Sequence, residues 1–277
     1  MIYRSGRPVW TRRLFLGAAL AGTVLLGAGA KSGAGEMQER ADLASIFQEQ
    51  NVPGTFVLYD PAADRFTTVN AKRAEQRFIP ASTFKIANSL IALETGVVKD
   101  ENEIIPYGGK PQRMKQWEKD MSMRDAIVIS NVPVYQNLAR RIGLPAYREW
   151  LAKLDYGNRD PGEVVDRFWL DGPLQISAIE QARFAAALGQ QKLPVSARSQ
   201  TIVRDILKLE VKDGRILYGK TGWGGIDGQQ QVGLWTGWID DGGKIRAFAL
   251  NLDIDTVDDA RKRQEVGRAI LGKLGVY

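Results

Sequence analysis

The sequence predicts an α+β fold, an α/β/α sandwich with a central antiparallel sheet built from both ends of the chain. Two observations lead to this prediction. Strand-like segments lie near the N-terminus at 55–70 and near the C-terminus at 207–253, whereas the region between them is mainly helical. Helical patterns also flank the strands at 37–50 and 258–274. A sheet flanked by helices, with a mainly helical lobe inserted between its N-terminal and C-terminal strands, accounts for these patterns.

Three predicted hairpins supply the strands of this sheet. In each hairpin, two strand-like segments flank a short run of turn residues. The second hairpin turns at Asp213-Gly214, a dipeptide typical of two-residue turns. The three pairs of segments are 55–60 with 65–70, 207–212 with 215–221, and 230–239 with 244–253.

The helical patterns differ in how far their apolar residues extend around the helix. Residues 37–50 and 258–274 place their apolar residues on one face, which is typical of amphipathic surface helices. Residues 82–93 are apolar on most sides, so this helix should be buried in the middle of the protein. Its first turn would then lie at the floor of whatever cleft exists.

The chain is predicted to consist of a signal peptide at 1–30 and one folded domain at 31–277. Within this domain, 31–95 and 192–277 should form a sheet lobe, and 96–191 the helical lobe. Residues 31–35 are small and polar and are predicted to be a disordered stub.

The first 30 residues have the order of an export signal: basic residues, an apolar stretch, and Ala28-Gly29-Ala30. Arg12-Arg13 followed by Leu14-Phe15-Leu16 is typical of a twin-arginine signal, which exports folded proteins. An uncleaved anchor is the alternative, but about 16 apolar residues are short for a span of about 20. The mature protein is therefore expected to be periplasmic or secreted, without a stable membrane anchor.

The composition argues against several classes of function. The chain has no histidine and no cysteine, so the usual zinc ligands and any disulfide are missing, and no metal is expected. The formal charge of +6 includes four arginines within residues 1–30, so the mature charge is +6 − 4 = +2. With no basic run interleaved with aromatic residues, nucleic acid is not expected as a partner. The oligomeric state is left open.

Ser82-Thr83-Phe84-Lys85 places a hydroxyl and an amine three residues apart at the start of the buried helix. Positions i and i+3 share one face of a helix, so Lys85 can reach Ser82 and take its proton. A serine activated by lysine is an acyl-transfer nucleophile. The alternative is an N-capping serine followed by a surface lysine.

Two further elements support the nucleophile hypothesis. Lys220-Thr221-Gly222 lies on a predicted strand, and Ser130-Asn131-Val132 follows the apolar run 126–129. S-x-x-K combined with a K-T-G element is typical of serine enzymes that recognise penicillins. In many of these enzymes the middle element is S-x-N, whereas here its third residue is Val132.

With valine at that position, the chain resembles the class D, or oxacillinase-type, serine β-lactamases. The resemblance covers essentially all of the mature chain and implies hydrolysis of the β-lactam amide bond through a serine acyl-enzyme, without a metal or bound organic cofactor. The elements that match in order and spacing are Pro80-Ala81-Ser82-Thr83-Phe84-Lys85-Ile86-Ala87-Asn88, Ser130-Asn131-Val132, Tyr156-Gly157-Asn158, Phe168-Trp169-Leu170-Asp171-Gly172-Pro173-Leu174-Gln175-Ile176-Ser177, and Lys220-Thr221-Gly222.

The resemblance implies catalytic roles for five residues. Ser82 is expected to attack the β-lactam carbonyl. The amine of Lys85 is expected to add carbon dioxide and become a carbamate that serves as general base, with a hydrogen bond from the indole of Trp169. Ser130 is expected to pass a proton to the leaving nitrogen, with Lys220 as its neighbour. Trp169 as a plain core aromatic is the alternative.

The resemblance also implies a set of substrate-binding residues. Thr221 and Arg263, with Lys220, are candidates to bind the substrate carboxylate. The backbone N–H of Trp223 is expected to hold the developing oxyanion together with that of Ser82. Gly222 and Val132 complete the predicted set. For Arg263 the alternative is a solvated basic face, because other basic residues are close in the sequence.

Three questions stay open at this stage. Asn131 either makes the approach to the carbamate more polar or plays no role there. The loops at 223–228 and 114–117 should set substrate preference, but their composition does not reveal it. The alternative functions are a β-lactam sensor or penicillin-binding domain with a long-lived acyl adduct, and a cell-wall transpeptidase or carboxypeptidase. Sensors are attached to membrane-spanning helices, and transpeptidases usually carry S-x-N.

Overall fold

A computed structural model describes residues 35–225 and 230–277. A seven-stranded sheet forms the centre of this described region. The sheet has the order β1-β3-β2-β11-β10-β9-β8, so strands from both ends of the folded region meet in its middle. Two short two-stranded sheets, β4 with β7 and β5 with β6, lie outside it. The strands are β1 (Glu36–Glu39), β2 (Gly54–Asp60), β3 (Arg65–Val69), β4 (Arg77–Phe78), β5 (Ile104–Ile105), β6 (Met121–Ser122), β7 (Ile176–Ser177), β8 (Lys208–Lys212), β9 (Arg215–Gly224), β10 (Gln231–Asp241) and β11 (Lys244–Ile254).

Helices cover both faces of this sheet. Helices α1 and α9 pack against each other, and α9 packs on β10 and β11, whereas α7 packs on β2, β10 and β11. A 3-10 helix, Ala81–Phe84, leads directly into α3. The helices are α1 (Ala44–Glu49), α2 (Ala71–Ala74), α3 (Lys85–Glu94), α4 (Met123–Val128), α5 (Val132–Ile142), α6 (Leu144–Lys153), α7 (Ala178–Gly189), α8 (Ala197–Ile206) and α9 (Asp259–Lys273).

Strand β11 shows how the sequence builds three layers. Its central residues are buried on both faces, and successive side chains point in opposite directions. Phe248 and Leu250 join the apolar cluster that contains α9, whereas Ala249 joins the cluster that contains α7. Large residues therefore fill one layer, and a small residue lets α7 approach the other face. This arrangement confirms the predicted α/β/α fold.

The sheet differs from the prediction at one edge. Strand β1 pairs with β3 in parallel, so the sheet is mixed and not wholly antiparallel. The predicted helix at 37–50 is wrong in its first turns, because Met37 lies in β1 and α1 begins only at Ala44. The β1 side chains are exposed. Backbone hydrogen bonds to the open edge of β3 thus decide its conformation, against the helical pattern of the sequence.

The division into lobes at residues 95 and 191 stays a proposal. Helix α7 precedes the second boundary but packs on the sheet, whereas α8 follows that boundary and packs on α3, α4 and α7. The predicted signal peptide at 1–30 and most of the predicted stub lie outside the described residues.

Candidate active site

Ser82 and Lys85 meet at the base of a cleft, in a region that we call the floor: Ala81–Glu94 together with Trp169. The 3-10 helix carries Ser82, and Lys85 begins α3, every residue of which is buried from Lys85 to Leu93. The Nζ atom of Lys85 donates a hydrogen bond of 2.8 Å to Oγ of Ser82. The alternative of a surface lysine is therefore excluded, and the i, i+3 spacing joins the two groups as predicted.

Lys85 has no exposed surface and no carboxylate partner among the described residues. Its Nζ lies 5.2 Å from the centre of the Tyr135 ring, so one wall of its pocket is aromatic. Burial lowers the pKa of Lys85 well below its usual value, and the nearby charge of Lys220 lowers it further. A buried amine in this setting favours the neutral form, which is nucleophilic.

Trp169 is also completely buried, and its Nε1 has no hydrogen-bond partner within the described part of the chain. The ring packs against Phe84 and Phe168, with centroid distances of 5.6 and 5.0 Å. The backbone carbonyl of Trp169 accepts a hydrogen bond of 2.9 Å from the N–H of Ala81, the residue before Ser82. A buried donor without a partner is unfavourable by about 1–3 kcal/mol, so this N–H fits an acceptor that is added to the pocket.

Lys220 lies in a second region, which we call the wall: strand β9 together with Arg263 of α9. The side chain of Lys220 is buried, and its Nζ donates to Oγ of Ser130 at 2.5 Å and to the carbonyl of Thr221 at 2.9 Å. Burial lowers the pKa of Lys220 to about 7, and the charge of Arg263 contributes to this shift. The structure therefore joins Ser130 and Lys220, which lie 90 residues apart.

Ser130 is held in a left-handed conformation, with φ of 56°. The next residue, Asn131, is fully buried, and its Oδ1 accepts a hydrogen bond of 3.1 Å from the N–H of Val134. Asn131 thereby caps the N-terminus of α5, a role that asparagine fills well. Its Nδ2 donates to the carbonyl of Trp117 at 3.3 Å. Asn131 thus has a structural role, which answers a question that the sequence left open.

Arg263 reaches from α9 to the wall. Its Nη1 donates to the carbonyl of Gly222, and its Nε donates to the carbonyl of Ala260 at 2.5 Å. The absence of a side chain at Gly233 makes room for it, since a Cβ there would lie 2.8 Å from Cδ of Arg263. Burial lowers the pKa of Arg263 to about 10, still high enough to leave it charged at neutral pH. Arg263 is thus partly buried and bonded to two backbone carbonyls at the edge of the cleft.

Gly222 and Gly224 allow β9 to lie directly against the 3-10 helix of the nucleophile. A Cβ at Gly222 would lie 3.1 Å from the carbonyl of Pro80, and one at Gly224 would lie 3.2 Å from Cβ of Ala81. Both distances are tighter than ordinary contacts. The wall can approach the floor this closely only because the third residue of the K-T-G element, Gly222, has no side chain.

A cleft of about 740 Å³ opens above these residues. Seven of the ten predicted site residues line it, whereas Lys85, Trp169 and Lys220 lie beneath its surface. Trp223 lines the cleft, and its indole donates to Oε1 of Gln231 at 2.8 Å. The seven lining residues are Ser82, Ser130, Val132, Thr221, Gly222, Trp223 and Arg263.

The structure also places residues at the site that the sequence interpretation missed. Tyr135 faces Lys85, and its hydroxyl lies 2.8 Å from Oγ of Ser89. Its position three residues after Val132, on the same face of α5, was the available sequence signal. Arg113, which lies 5.8 Å from the Trp223 ring centre, and Gln231 also line the cleft and come together only through the tertiary fold.

No cluster of three or more histidine, cysteine, aspartate or glutamate side chains suited to a metal ion occurs within residues 35–225 and 230–277. In the same ranges, none of the helices combines the length and the apolar character needed to cross a bilayer.

Comparison with known proteins identifies the family. Residues 50–272 match the family model described as the penicillin binding protein transpeptidase domain. Beta-lactamase OXA-5 of Pseudomonas aeruginosa is 40% identical over 232 residues, which cover 83% of this chain and 87% of the relative. Beta-lactamase OXA-48 of Klebsiella pneumoniae is 40% identical over 85% of this chain and 89% of the relative. The chain belongs to the class D β-lactamases.

Solved structures agree with this assignment. The class D β-lactamase FUS-1 (OXA-85) of Fusobacterium nucleatum subsp. polymorphum superposes with a TM-score of 0.83 at 42% identity, covering 86% of this chain and 99% of that one. Class D β-lactamases are serine hydrolases without a metal cofactor, so the predicted family, fold class and serine hydrolase activity are confirmed. The roles of the individual site residues stay predictions.

Proposed function

We propose that this class D β-lactamase opens penicillins and related β-lactams by attack of Ser82, with a carbamylated Lys85 as the general base. The observation that carries the proposal is the floor: a fully buried lysine lies 2.8 Å from the serine oxygen, has no counter-ion in the described structure, and shares its buried region with an unpaired indole N–H. Such an amine is a poor base as an ammonium ion but reacts readily when neutral.

The residues present fit a carbamate. Trp169 would hold one of its oxygens through Nε1, and the hydroxyl of Ser82 would bond to it. When bound on Lys85, carbon dioxide supplies an anionic oxygen base beside Ser82 for acylation and for activation of water in deacylation. The apolar walls around Lys85 exclude bulk water, and they make the single indole donor important for an anion there.

Attack of Ser82 Oγ on the β-lactam carbonyl places a negative charge on the carbonyl oxygen. The backbone N–H groups of Ser82 and Trp223 are proposed to hold this oxyanion, because the wall approaches the floor closely at Gly222. Losing one such donor typically removes about 2.7–4 kcal/mol of transition-state stabilisation.

Ser130 is proposed to deliver the proton to the leaving β-lactam nitrogen. Its Oγ accepts a hydrogen bond from Lys220 Nζ at 2.5 Å, so the lysine can replace the proton that the serine gives away. A pKa of about 7 suits Lys220 to this exchange at neutral pH.

The substrate carboxylate is proposed to bind at the wall. Thr221 and Arg263 both line the cleft there, and Lys220 lies just beneath. Arg263 already donates to two carbonyl groups, so its guanidinium is held in place before substrate arrives. Gly222 and Val132 are proposed to contact the bicyclic ring from two sides of the cleft.

Export to the periplasm or secretion is proposed on the pattern of residues 1–30, by the twin-arginine route. The binding partner is then a small β-lactam molecule that enters the cleft from outside the cytoplasm, and nucleic acid is not a proposed partner.

The test is a time course of oxacillin hydrolysis by the mature protein, with substrate in large excess, in carbon dioxide-depleted buffer with and without bicarbonate. The proposal predicts many turnovers and a rate that rises with bicarbonate. A single stoichiometric burst would instead indicate a penicillin-binding or sensor domain with a long-lived acyl adduct. Sustained turnover that ignores bicarbonate in depleted buffer would contradict the carbamate.

A further inference from the structure

Three basic side chains lie at the site: Lys85 in the floor and Lys220 in the wall are buried, and Arg263 in the wall is partly buried. None of them forms an ion pair with a carboxylate of the described residues. Their hydrogen bonds go to the hydroxyls of Ser82 and Ser130 and to backbone carbonyl groups. Buried charges are normally paired, so a buried basic cluster without a carboxylate is suited to receive an anion.

The two lysines meet across one cleft. Lys85 bonds to Ser82 and Lys220 bonds to Ser130, and both serines line the cleft. Arg263 instead bonds to the carbonyls of Ala260 and Gly222. The charge of Lys220 also contributes to the lowered pKa of Lys85. Tyr135 also faces Lys85, but burial raises its pKa, and it stays neutral.

We propose that Lys220 is the counter-ion of the carbamate on Lys85, and that it determines how tightly the protein holds carbon dioxide. The inference rests on the proposed carbamate and goes beyond it, because it assigns to a wall residue control over a group in the floor. Lys220 acts on the carbamate through its charge, so in this role it is a positioning residue.

The chemistry of the modification reverses the interaction between the two lysines. The lone pair of Lys85 Nζ bonds to the carbon of carbon dioxide, one C=O pair moves to oxygen, and one proton leaves the nitrogen. Lys85 is then an anion, so a protonated Lys220 attracts it where two ammonium groups would repel. At neutral pH, the amine of Lys220 is a suitable acceptor for the released proton.

The geometry of Lys220 suits this role. An ammonium group has three donors, and Lys220 uses two of them, on Ser130 and on the carbonyl of Thr221. These two bonds hold Nζ in place, and a third donor remains for an anion. Because the side chain is buried, salt screens the resulting interaction only weakly.

The experiment measures occupancy directly. Protein is stripped of carbon dioxide, titrated with ¹³C-bicarbonate at constant pH, and followed by the ¹³C signal of the carbamate, with Lys85→Ala as the blank. We expect Lys220→Met to need roughly tenfold more carbon dioxide for half occupancy, the equivalent of one pKa unit. Lys220→Arg keeps the charge and should recover most of the affinity.

Arg263→Gln is the matched control, because it removes a partly buried cation of the wall that bonds to backbone carbonyls and to neither Ser82 nor Ser130. Its carbon dioxide affinity should stay within about twofold of the wild type, even though substrate binding weakens. Equal affinity in Lys220→Met and the wild type would overturn the inference while leaving the carbamate proposal intact. A wild-type protein without any carbamate signal would overturn both.

A second measurement needs no functional substitution and covers the case in which Lys220→Met fails to fold. Linkage is reciprocal, so if protonated Lys220 strengthens carbon dioxide binding tenfold, bound carbon dioxide must raise the pKa of Lys220 by about one unit. The pKa is read from the NMR signal of ¹³Cε-labelled lysine with and without bicarbonate, assigned with Lys220→Arg. An unchanged pKa of Lys220 would overturn the inference.

Discussion

The floor and the wall of the cleft each bury a lysine, but the two lysines differ in their hydrogen-bond partners. Lys85 in the floor has one hydroxyl partner and an aromatic neighbour, and the indole N–H of Trp169 is left unpaired. Lys220 in the wall has two hydrogen bonds that are already in place. The difference separates two tasks: the floor is built to react and to receive an added group, whereas the wall is preorganised to bind.

Removing the amine of Lys85 in the floor should have the largest effect on activity. Lys85→Ala is expected to lower kcat for oxacillin by about 10³-fold, because general-base catalysis contributes roughly 10²–10⁴. Circular dichroism checks that the variant is folded, and steady-state hydrolysis gives kcat. Near-normal turnover by the folded variant would exclude Lys85 as the base.

Removing the fixed cation of the wall should act on binding. Arg263→Gln is expected to raise KM roughly ten- to hundredfold with a smaller change in kcat, because a hydrogen bond to a charged group contributes about 1.5–3 kcal/mol. Arg261→Gln, an exposed position on the same helix, is the control and should keep the wild-type KM. A loss confined to kcat would place Arg263 in the chemistry and remove the distinction between floor and wall.

Removing the unpaired donor of the floor should have a smaller effect that bicarbonate can relieve. Trp169→Phe keeps an aromatic ring but loses Nε1, and is expected to lower activity by about tenfold in air-equilibrated buffer, with recovery at high bicarbonate. The matched control is Trp238→Phe, since Trp238 is equally buried with an equally unpaired Nε1 but packs against Tyr218, away from the cleft. Equal loss in both variants would indicate a packing effect.

The buried lysines should also make stability depend on pH. Between about pH 7 and 10.5 the folded protein has lost the proton of Lys220, whereas the unfolded chain retains it. The unfolded state then binds more protons, so the free energy of unfolding rises with pH across this window, by on the order of a few kcal/mol. Denaturant unfolding in carbon dioxide-free buffers measures the slope.

In that experiment Lys220→Met should flatten the slope, whereas Lys208→Met, at an exposed position of β8, should not. A slope that persists unchanged in Lys220→Met would assign the effect to Lys85 alone.

Much of the site could be predicted because its parts are local. Ser82 and Lys85 share one helical face, so their contact follows from spacing alone. The hairpin turn at Asp213-Gly214 likewise specified β8 and β9, which carries Lys220. By contrast, β1 was missed because a partner strand decided its conformation, and the capping role of Asn131 depended on where α5 begins.

The sequence by itself determined the family, the order of the strands' hairpins, and the chemical groups that the site contains, because these depend on short-range patterns and on the types of residue in the motifs. The tertiary structure decided the depth of Lys85, the missing partner of Trp169, and the contact of Arg263 with the wall. These features depend on how segments far apart in the chain exclude water from one another. Burial of this kind sets the pKa values of both lysines, and no local pattern specifies it.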